Sequence, residues 1–405
     1  MAVSESDDAE IRRRAEDFLR GEVPAGWPEL APDELIPVAK RFQAALHDAG
    51  LAGITWPAEY GGQGGTAAQE RAFREQAGGY ELPTGPFVIG MGMCGPTLLD
   101  LGTEVQKNRY VRPLLRGEEI WCQLFSEPGA GSDVASLQTR AVRDGGEWVI
   151  SGQKVWTSGA QHADFGAVLA RTDPDVPKHA GLTMFVIDMH AAGVAVRPLR
   201  DMTGGAPFNE VYFDEVRLPA DAVLGEVGQG WAAAVTMLGH ERVSLGGSVR
   251  RRDEPLGSAN LAGIARAKGI SADPSVRAGL AALHAKERAL ALFNTRLSQE
   301  AAAGAPPGAR GSVAKLAGAT LLWDALHAAG EIAGTDAVAW DPEDAAAEEL
   351  STAINSVPAS SIAGGTNQVQ RNIIGDRLLG LPKEPQVDKD VPFRELRVGT
   401  QRETS

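Results

Sequence analysis

Residues 123–133, Gln123-Leu124-Phe125-Ser126-Glu127-Pro128-Gly129-Ala130-Gly131-Ser132-Asp133, decide how this chain is read. Glycine lets a backbone come close to a ligand, and Ser126 and Ser132 place hydroxyls at the edge of that approach. By itself the stretch reads more readily as a turn-rich loop than as a site. Lys154-Val155-Trp156-Thr157-Ser158-Gly159, further along, makes a pair with it that is far more specific.

Outward from this pair, the periodicity changes twice. Residues 1 to 118 read as helical, over Ala9–Leu19, Leu35–Ala49 and Ala67–Glu81, with a Gly-rich turn running from Trp56 to Gly62. Between 119 and 226 the period is two, which predicts strands at Glu147–Ile150, Gly181–Ile187, Val194–Val196 and Glu210–Phe213. Helical spacing returns near 228. Asp273-Pro274 supplies an N-cap and a first-turn proline, and Val276, Leu280, Leu283, Leu290 and Leu297 mark one buried stripe. Gly304–Gly311 predicts a loop, and Val313–Ala329 and Gln368–Leu379 predict helices. The sum is an α+β chain: helical over 1–118, a β-domain over 119–226, a helical bundle over 227–383, and a charged tail over 384–405, mobile or draped on a partner.

Composition excludes several classes. The net charge of −14 argues against nucleic acid and acidic membrane surfaces. Cys94 and Cys122 form no spaced framework, which suggests a reducing compartment, and no metal-ligand cluster stands out. Glu5, Asp7, Asp8 and Glu10 make the start unlike a basic targeting peptide, and no apolar run reaches membrane-spanning length. A cytoplasmic protein is expected.

Glu241 is the candidate base. Trp231, Val235, Leu238 and Leu245 recur at helical steps, and Glu241 falls on the stripe they predict. A carboxylate on the packed side of a helix is desolvated, which moves it toward the range of a general base. The plain alternative is a structural Glu–Arg pair or a backbone cap.

The segments Gln123–Asp133 and Lys154–Gly159 resemble the acyl-CoA dehydrogenase family. So do Trp56-Pro57 through Gly65, Phe213-Asp214-Glu215-Val216-Arg217-Leu218-Pro219, and Gly364-Gly365-Thr366-Asn367-Gln368-Val369-Gln370-Arg371, in the family's order and over nearly the whole chain. The resemblance implies a barrel-like β-domain, a four-helix-type C-terminal domain and bound FAD. By it, Ser126 would bond the pyrimidine edge of the flavin, Gln123 and Phe125 would line the same wall, and Trp156 would pack on the ring. Thr157 and Ser158 would sit near N5. Ser132, with Gly131 beside it, would touch the cofactor phosphates or the pantetheine arm of the substrate. Thr366 and Gln368 would reach the cofactor from the C-terminal domain, and Arg242 and Gly364 belong with the substrate contacts.

Most members of that family carry the base directly before the Gly-Thr of the C-terminal motif. Here that position is Gly364, whose N–H can still polarise the thioester carbonyl but which cannot take a proton. The isovaleryl- and long-chain-type members carry a Glu directly before an Arg on the helix after the β-domain, which here is Glu241-Arg242. The implied reaction is α,β-dehydrogenation of an acyl-CoA, with electrons passed to an electron-transferring flavoprotein. Two elements that complete a neighbouring subunit's FAD site are missing: residues 250–275 contain no Phe, and no Tyr follows Tyr212. This is similar to heteromeric actinobacterial members, some acting on steroid side chains, so an α2β2 heterotetramer stands beside a homo-oligomer. A non-catalytic subunit, or a flavin oxidase or monooxygenase, remain the alternatives.

Overall fold

The computed structural model describes residues 5–246, 254–302, 308–339, 341, 343–385 and 388–396, with side chains in 5–7, 242–246 and 301–302 outside the description. Helices α1 (Glu5–Glu22), α2 (Pro32–Asp48) and α3 (Ala67–Ala77) form where periodicity predicts them. In α2, Ala39, Phe42, Gln43, Leu46 and His47 share one buried face at three- and four-residue steps. Thr66 starts α3 with a reciprocal cap: its Oγ1 accepts from Gln69 N–H while Gln69 Oε1 accepts from Thr66 N–H. A π-helical turn (Gly90–Cys94) then leads into α4 (Gly95–Leu101) and α5 (Glu104–Leu115), none of which the sequence reading had separated.

Seven strands follow: β1 (Trp121–Leu124), β2 (Arg140–Asp144), β3 (Glu147–Ser158), β4 (Phe165–Arg171), β5 (Leu182–Asp188), β6 (Val194–Leu199) and β7 (Phe208–Pro219). They join in the order β1-β4-β2-β3-β7-β6, with β5 also paired to β4. Both faces of β4 and β5 are covered. Ala167, Leu169, Leu182, Met184 and Val186 point into a core shared with the N-terminal helices, while Val168, Ala170, Phe185 and Ile187 point into a second core with Trp148, Ile150, Val211 and Phe213. β3 runs well past the predicted Ile150. Its polar stretch Gly152-Gln153-Lys154 breaks the apolar alternation, and Lys154 is buried with a partner of its own. Period-two counting therefore stops too early.

The chain divides into two compact units. Of the described residues, one unit takes those up to Leu199, Ala206–Glu241 and 388–396; the other takes Arg200–Gly205 and those from 242 to Pro385. Helix α6 (Gly230–Gly246) crosses the division. The second unit contains α7 (Ser258–Ala267), α8 (Pro274–Ala302), α9 (Arg310–Ala333), α10 (Ala345–Ser360) and α11 (Asn367–Arg377). Asp273 caps α8 as predicted, its Oδ1 accepting from the N–H groups of Ser275 at 2.7 Å and Val276 at 3.4 Å. Leu283 is buried with Leu261, Leu321 and Leu350, and Val276, Leu280 and Leu290 pack around them. Part of the expected loop, 304–307, lies outside the described residues.

Residues 388–396, expected within a mobile or partner-draped tail, pack on their own chain instead. Lys178 Nζ pairs with Asp388 Oδ2 at 2.8 Å, and Phe393 N–H donates to Val176 O at 2.9 Å. Among the described residues, no helix is long and apolar enough to cross a membrane.

Candidate functional site

The turn after β1 is stitched to the end of β3. Lys154 is fully buried, and its Nζ donates to Glu127 Oε1 at 2.8 Å and to Phe125 O at 3.0 Å. Glu127 also accepts from the N–H groups of Gln138 (2.6 Å) and Thr139 (2.9 Å), closing the loop behind Gly129–Ser132. Burial drags Lys154 down to about 8, with the Glu127 carboxylate resisting. Burial pushes Glu127 up, but the Lys154 charge and the backbone donors outweigh it and hold the carboxyl below its ordinary range. Between these side chains, Ser126 O accepts from Val155 N–H at 2.9 Å. Phe125, Ser126 and Glu127 are thus each fixed to Lys154 or Val155.

One extra residue then enters β3. Lys154 faces Val211 on β7, but Thr157 faces Asn209, so a bulge separates them. Inside it Trp156 takes φ 62°, a left-handed conformation that a bulky side chain seldom adopts. The bulge turns its indole outward: the side chain is 57% exposed, with only Phe208 edge-on at 5.8 Å. The next residue, Thr157, is buried, yet among the described residues its Oγ1 has no hydrogen-bond partner. Nor has the buried Nε2 of Gln123 on β1. A buried polar atom left unpaired costs about 1–3 kcal/mol, so these two atoms suit a polar ligand. Gly131 and Ser132 lie exposed on the same loop, with nothing within 4 Å of where a Gly131 Cβ would stand. Ser158 closes the strand against Phe208.

Glu241 is buried, though not on the face the sequence predicts. The packed positions of α6 are Gly230, Ala233, Ala234, Met237 and Glu241, while Val235 is 43% exposed. Trp231 meets His179 edge-on at 4.5 Å, and Leu238 packs at the margin of the core. Small alanines misled the stripe: Ala233 and Ala234 mark the packed face in place of the larger apolar residues. The start of α6 abuts β5: a Cβ on Gly230 would come within 2.5 Å of Thr183 N. Near its other end, His240 Nε2 and Asp100 Oδ2 on α4 are 2.7 Å apart. The side chains of Arg242 and Leu245 lie outside the described residues.

In the second unit, Gly364 and Gly365 form a turn with φ of 65° and 84°. Gln370 Nε2 donates to both of their carbonyls, at 2.9 and 3.3 Å. Thr366 caps α11 by accepting from Val369 N–H at 3.2 Å, and Gln368 is exposed. Trp323 Nε1 and Asn367 Nδ2 both donate to Ser361 Oγ, and Lys315 Nζ donates to Asn367 Oδ1. The sequence reading had missed Gln370, Trp323 and Ser361 as the turn's supports, along with Glu127 as the partner of Lys154. Glu127 and Gln370 lie within stretches already singled out, Gln123–Asp133 and Gly364–Arg371; Trp323 and Ser361 do not. Within the first unit, Gln123, Phe125, Ser126, Trp156, Thr157 and Ser158 all lie on β1, on the turn after it or at the end of β3, with Trp156 exposed and Thr157 buried, and Gly131 and Ser132 lie on the adjoining loop. Thr366, Gln368 and Gly364 lie together on the turn of the second unit.

Known proteins match this arrangement along its length. Family models for the acyl-CoA dehydrogenase N-terminal, middle and C-terminal domains match residues 5–118, 122–216 and 228–379. The chain is 40% identical to acyl-CoA dehydrogenase FadE34 of Mycobacterium tuberculosis over 90% of its own length, and it spans 49% of that longer protein. It is 37% identical to acyl-CoA dehydrogenase IpdE1 of the same organism, covering 93% of this chain and 97% of the relative. Among solved structures, the Tcur3481–Tcur3483 steroid acyl-CoA dehydrogenase is 31% identical with a TM-score of 0.76, over 95% of this chain and 100% of the other. The ChsE4–ChsE5 complex of Mycobacterium tuberculosis is 30% identical with a TM-score of 0.75, again over 95% and 100%. The chain belongs to the acyl-CoA dehydrogenase family.

Proposed function

We propose that this chain carries out the α,β-dehydrogenation of an acyl-CoA thioester, with Glu241 as the base and FAD as its flavin. The observation that carries this reading is the burial of Glu241 on the packed face of α6, in a chain whose C-terminal motif has Gly364, with no side chain to take a proton, at the family's other base position. When bound, the flavin would supply the acceptor for the substrate's β-hydride. The chain's own residues do the rest. Glu241 takes the α-proton onto its carboxylate, and the N–H of Gly364 supports the charge that develops on the thioester oxygen. Gln123 Nε2 and Thr157 Oγ1, buried without partners, fit the polar edge of a flavin, and the outturned Trp156 fits its ring. Phe125 and Ser126 belong to the same wall, Gly131 and Ser132 to the phosphate or pantetheine contacts, Ser158 to the region of N5, and Thr366 and Gln368 to a second flank. Arg242 completes the substrate contacts. The free, buried Cys94 and Cys122 support a cytoplasmic setting.

Glu241→Gln tests the base. The variant should keep its flavin absorbance and lose dehydrogenation by roughly 10²–10⁴-fold with an artificial electron acceptor; turnover near the parent rate removes Glu241 from the role. Electron-transferring flavoprotein is the proposed physiological acceptor, checked by its reduction in the same assay. The names of two solved relatives, a steroid acyl-CoA dehydrogenase and a complex of two named chains, support extending the reading to steroid-derived thioesters and to a heteromeric assembly, for which α2β2 is the proposed form. The absence of Phe from 250–275 and of Tyr after Tyr212 favours a partner subunit over a homo-oligomer. A panel of short, branched, long and steroid-derived acyl-CoA substrates, read with and without a candidate partner chain, separates these outcomes.

A further inference from the structure

The loop that carries Gly131 and Ser132 has a long-range support. Asp133, next to Ser132, is bonded by Lys178 Nζ at 2.9 Å, and the same ammonium reaches Asp388 at 2.8 Å. Asp133 also accepts from Ser136 Oγ, which closes the short turn behind it. A few residues on, Arg171 binds the loop from below: its Nη2 donates to Ala135 O at 2.6 Å and its Nε to Leu137 O at 3.4 Å. The outer face of that guanidinium is covered by the Phe393 ring, with Cζ 3.6 Å from the ring centroid. Phe393 is itself fixed to the segment between β4 and β5: its N–H donates to Val176 O at 2.9 Å, Arg394 N–H donates to Pro174 O at 3.0 Å, and Arg394 pairs with Asp175. Residues 388–396 therefore lie as a strap over Lys178 and Arg171, the two cations that hold the loop.

We propose that the strap 388–396 is a positioning element for the ligand-binding loop: through Lys178 and Arg171, Asp388 and Phe393 hold Gly131–Leu137 in its binding conformation. The inference rests on the reading above that Ser132 contacts substrate or cofactor. The cations are pinned from both sides, by the loop's oxygens within and by a carboxylate and an aromatic ring without. Neither Asp388 nor Phe393 takes part in the chemistry, so removing them should weaken binding and spare the chemical step.

The test uses the full chain, loaded with flavin, as Phe393→Ala, Asp388→Asn, Asp388→Glu and Ser132→Ala. Expected is faster amide exchange across 131–137 in Phe393→Ala and Asp388→Asn, with KM for the acyl-CoA raised about 3- to 10-fold or flavin retention reduced by a similar factor. Their kcat should stay within about twofold, and Asp388→Glu should restore most of the loss. Unchanged exchange in 131–137 overturns the proposal. So does faster exchange with KM and flavin retention both unaltered, since the strap then supports only the fold. Ser132→Ala separates the two readings: if it too leaves KM and retention unaltered, the contact assigned to Ser132 fails; if it alters them while Phe393→Ala does not, the strap fails by itself.

Discussion

The wall in the sheet and the turn before α11 are built from opposite materials. The wall is fixed by charge: a buried lysine, a buried glutamate and backbone donors gathered on that carboxylate. The turn is fixed by neutral side chains, an indole, a hydroxyl and two amides, with Lys315 bonded to an amide oxygen. Both leave buried polar side-chain atoms unpaired among the described residues, Gln123 Nε2 and Thr157 Oγ1 on the wall and Gln370 Oε1 at the turn, but position 364 itself offers only backbone. What differs is the kind of support: the wall is held through one buried ion pair and the turn through neutral donors and acceptors, and position 364 itself can offer an N–H but take no proton.

The contrast breaks first at Lys154. In Lys154→Met the Glu127 carboxylate stays buried without its cation, and stability should fall by about 3–5 kcal/mol in urea titration. Flavin retention should fall with it, and amide exchange should quicken in 125–139 but not in 361–367. Equal loosening of both regions would mean that the ion pair serves the whole fold rather than the wall.

Acid should separate the regions next. Glu127 has a lower pKa in the fold than its unfolded value of about 4.3. Its contribution is therefore full above that pH and is lost as pH falls through the native value. Thermal midpoints measured from pH 7 to 3 should show the gap between the parent and Glu127→Gln closing toward acid. A constant gap removes the carboxylate's charge from the account.

The smallest effect is the most specific. Thr157→Val keeps the shape and deletes an unpaired hydroxyl, so the flavin-free protein should be unchanged or stabilised by up to about 1 kcal/mol. Flavin retention on dialysis should drop about tenfold, as for one lost hydrogen bond to a ligand. A destabilised flavin-free protein would mean that the hydroxyl has a partner within the chain.

Much of this was legible beforehand, and the failures share a cause. Short-range signals worked in part: the Asp273 cap and most of the α8 stripe appear where the sequence puts them, whereas β3 runs on through Trp156 and Thr157, beyond the strand end expected at Ile150. Long-range pairing did not. Nothing in the sequence says that Lys154 meets Glu127 or that Arg171 lies beneath Phe393, because such partners are chosen by topology and not by spacing. The stripe on α6 failed for a subtler reason. Ala233 and Ala234 mark the buried face, so counting large apolar residues selects the wrong side of the helix.

The first unit is not continuous in the chain: the described residues from 242 to Pro385 belong to the second unit, and the first resumes only with 388–396. Chains leave the ribosome N-terminus first, at roughly 5–20 residues per second. The loop behind Ser132 is therefore synthesised long before Asp388 and Phe393 exist to hold it. A nascent chain stalled in the second unit would carry its sheet complete and its strap absent. Final assembly of the binding loop becomes one of the last events in the making of the protein.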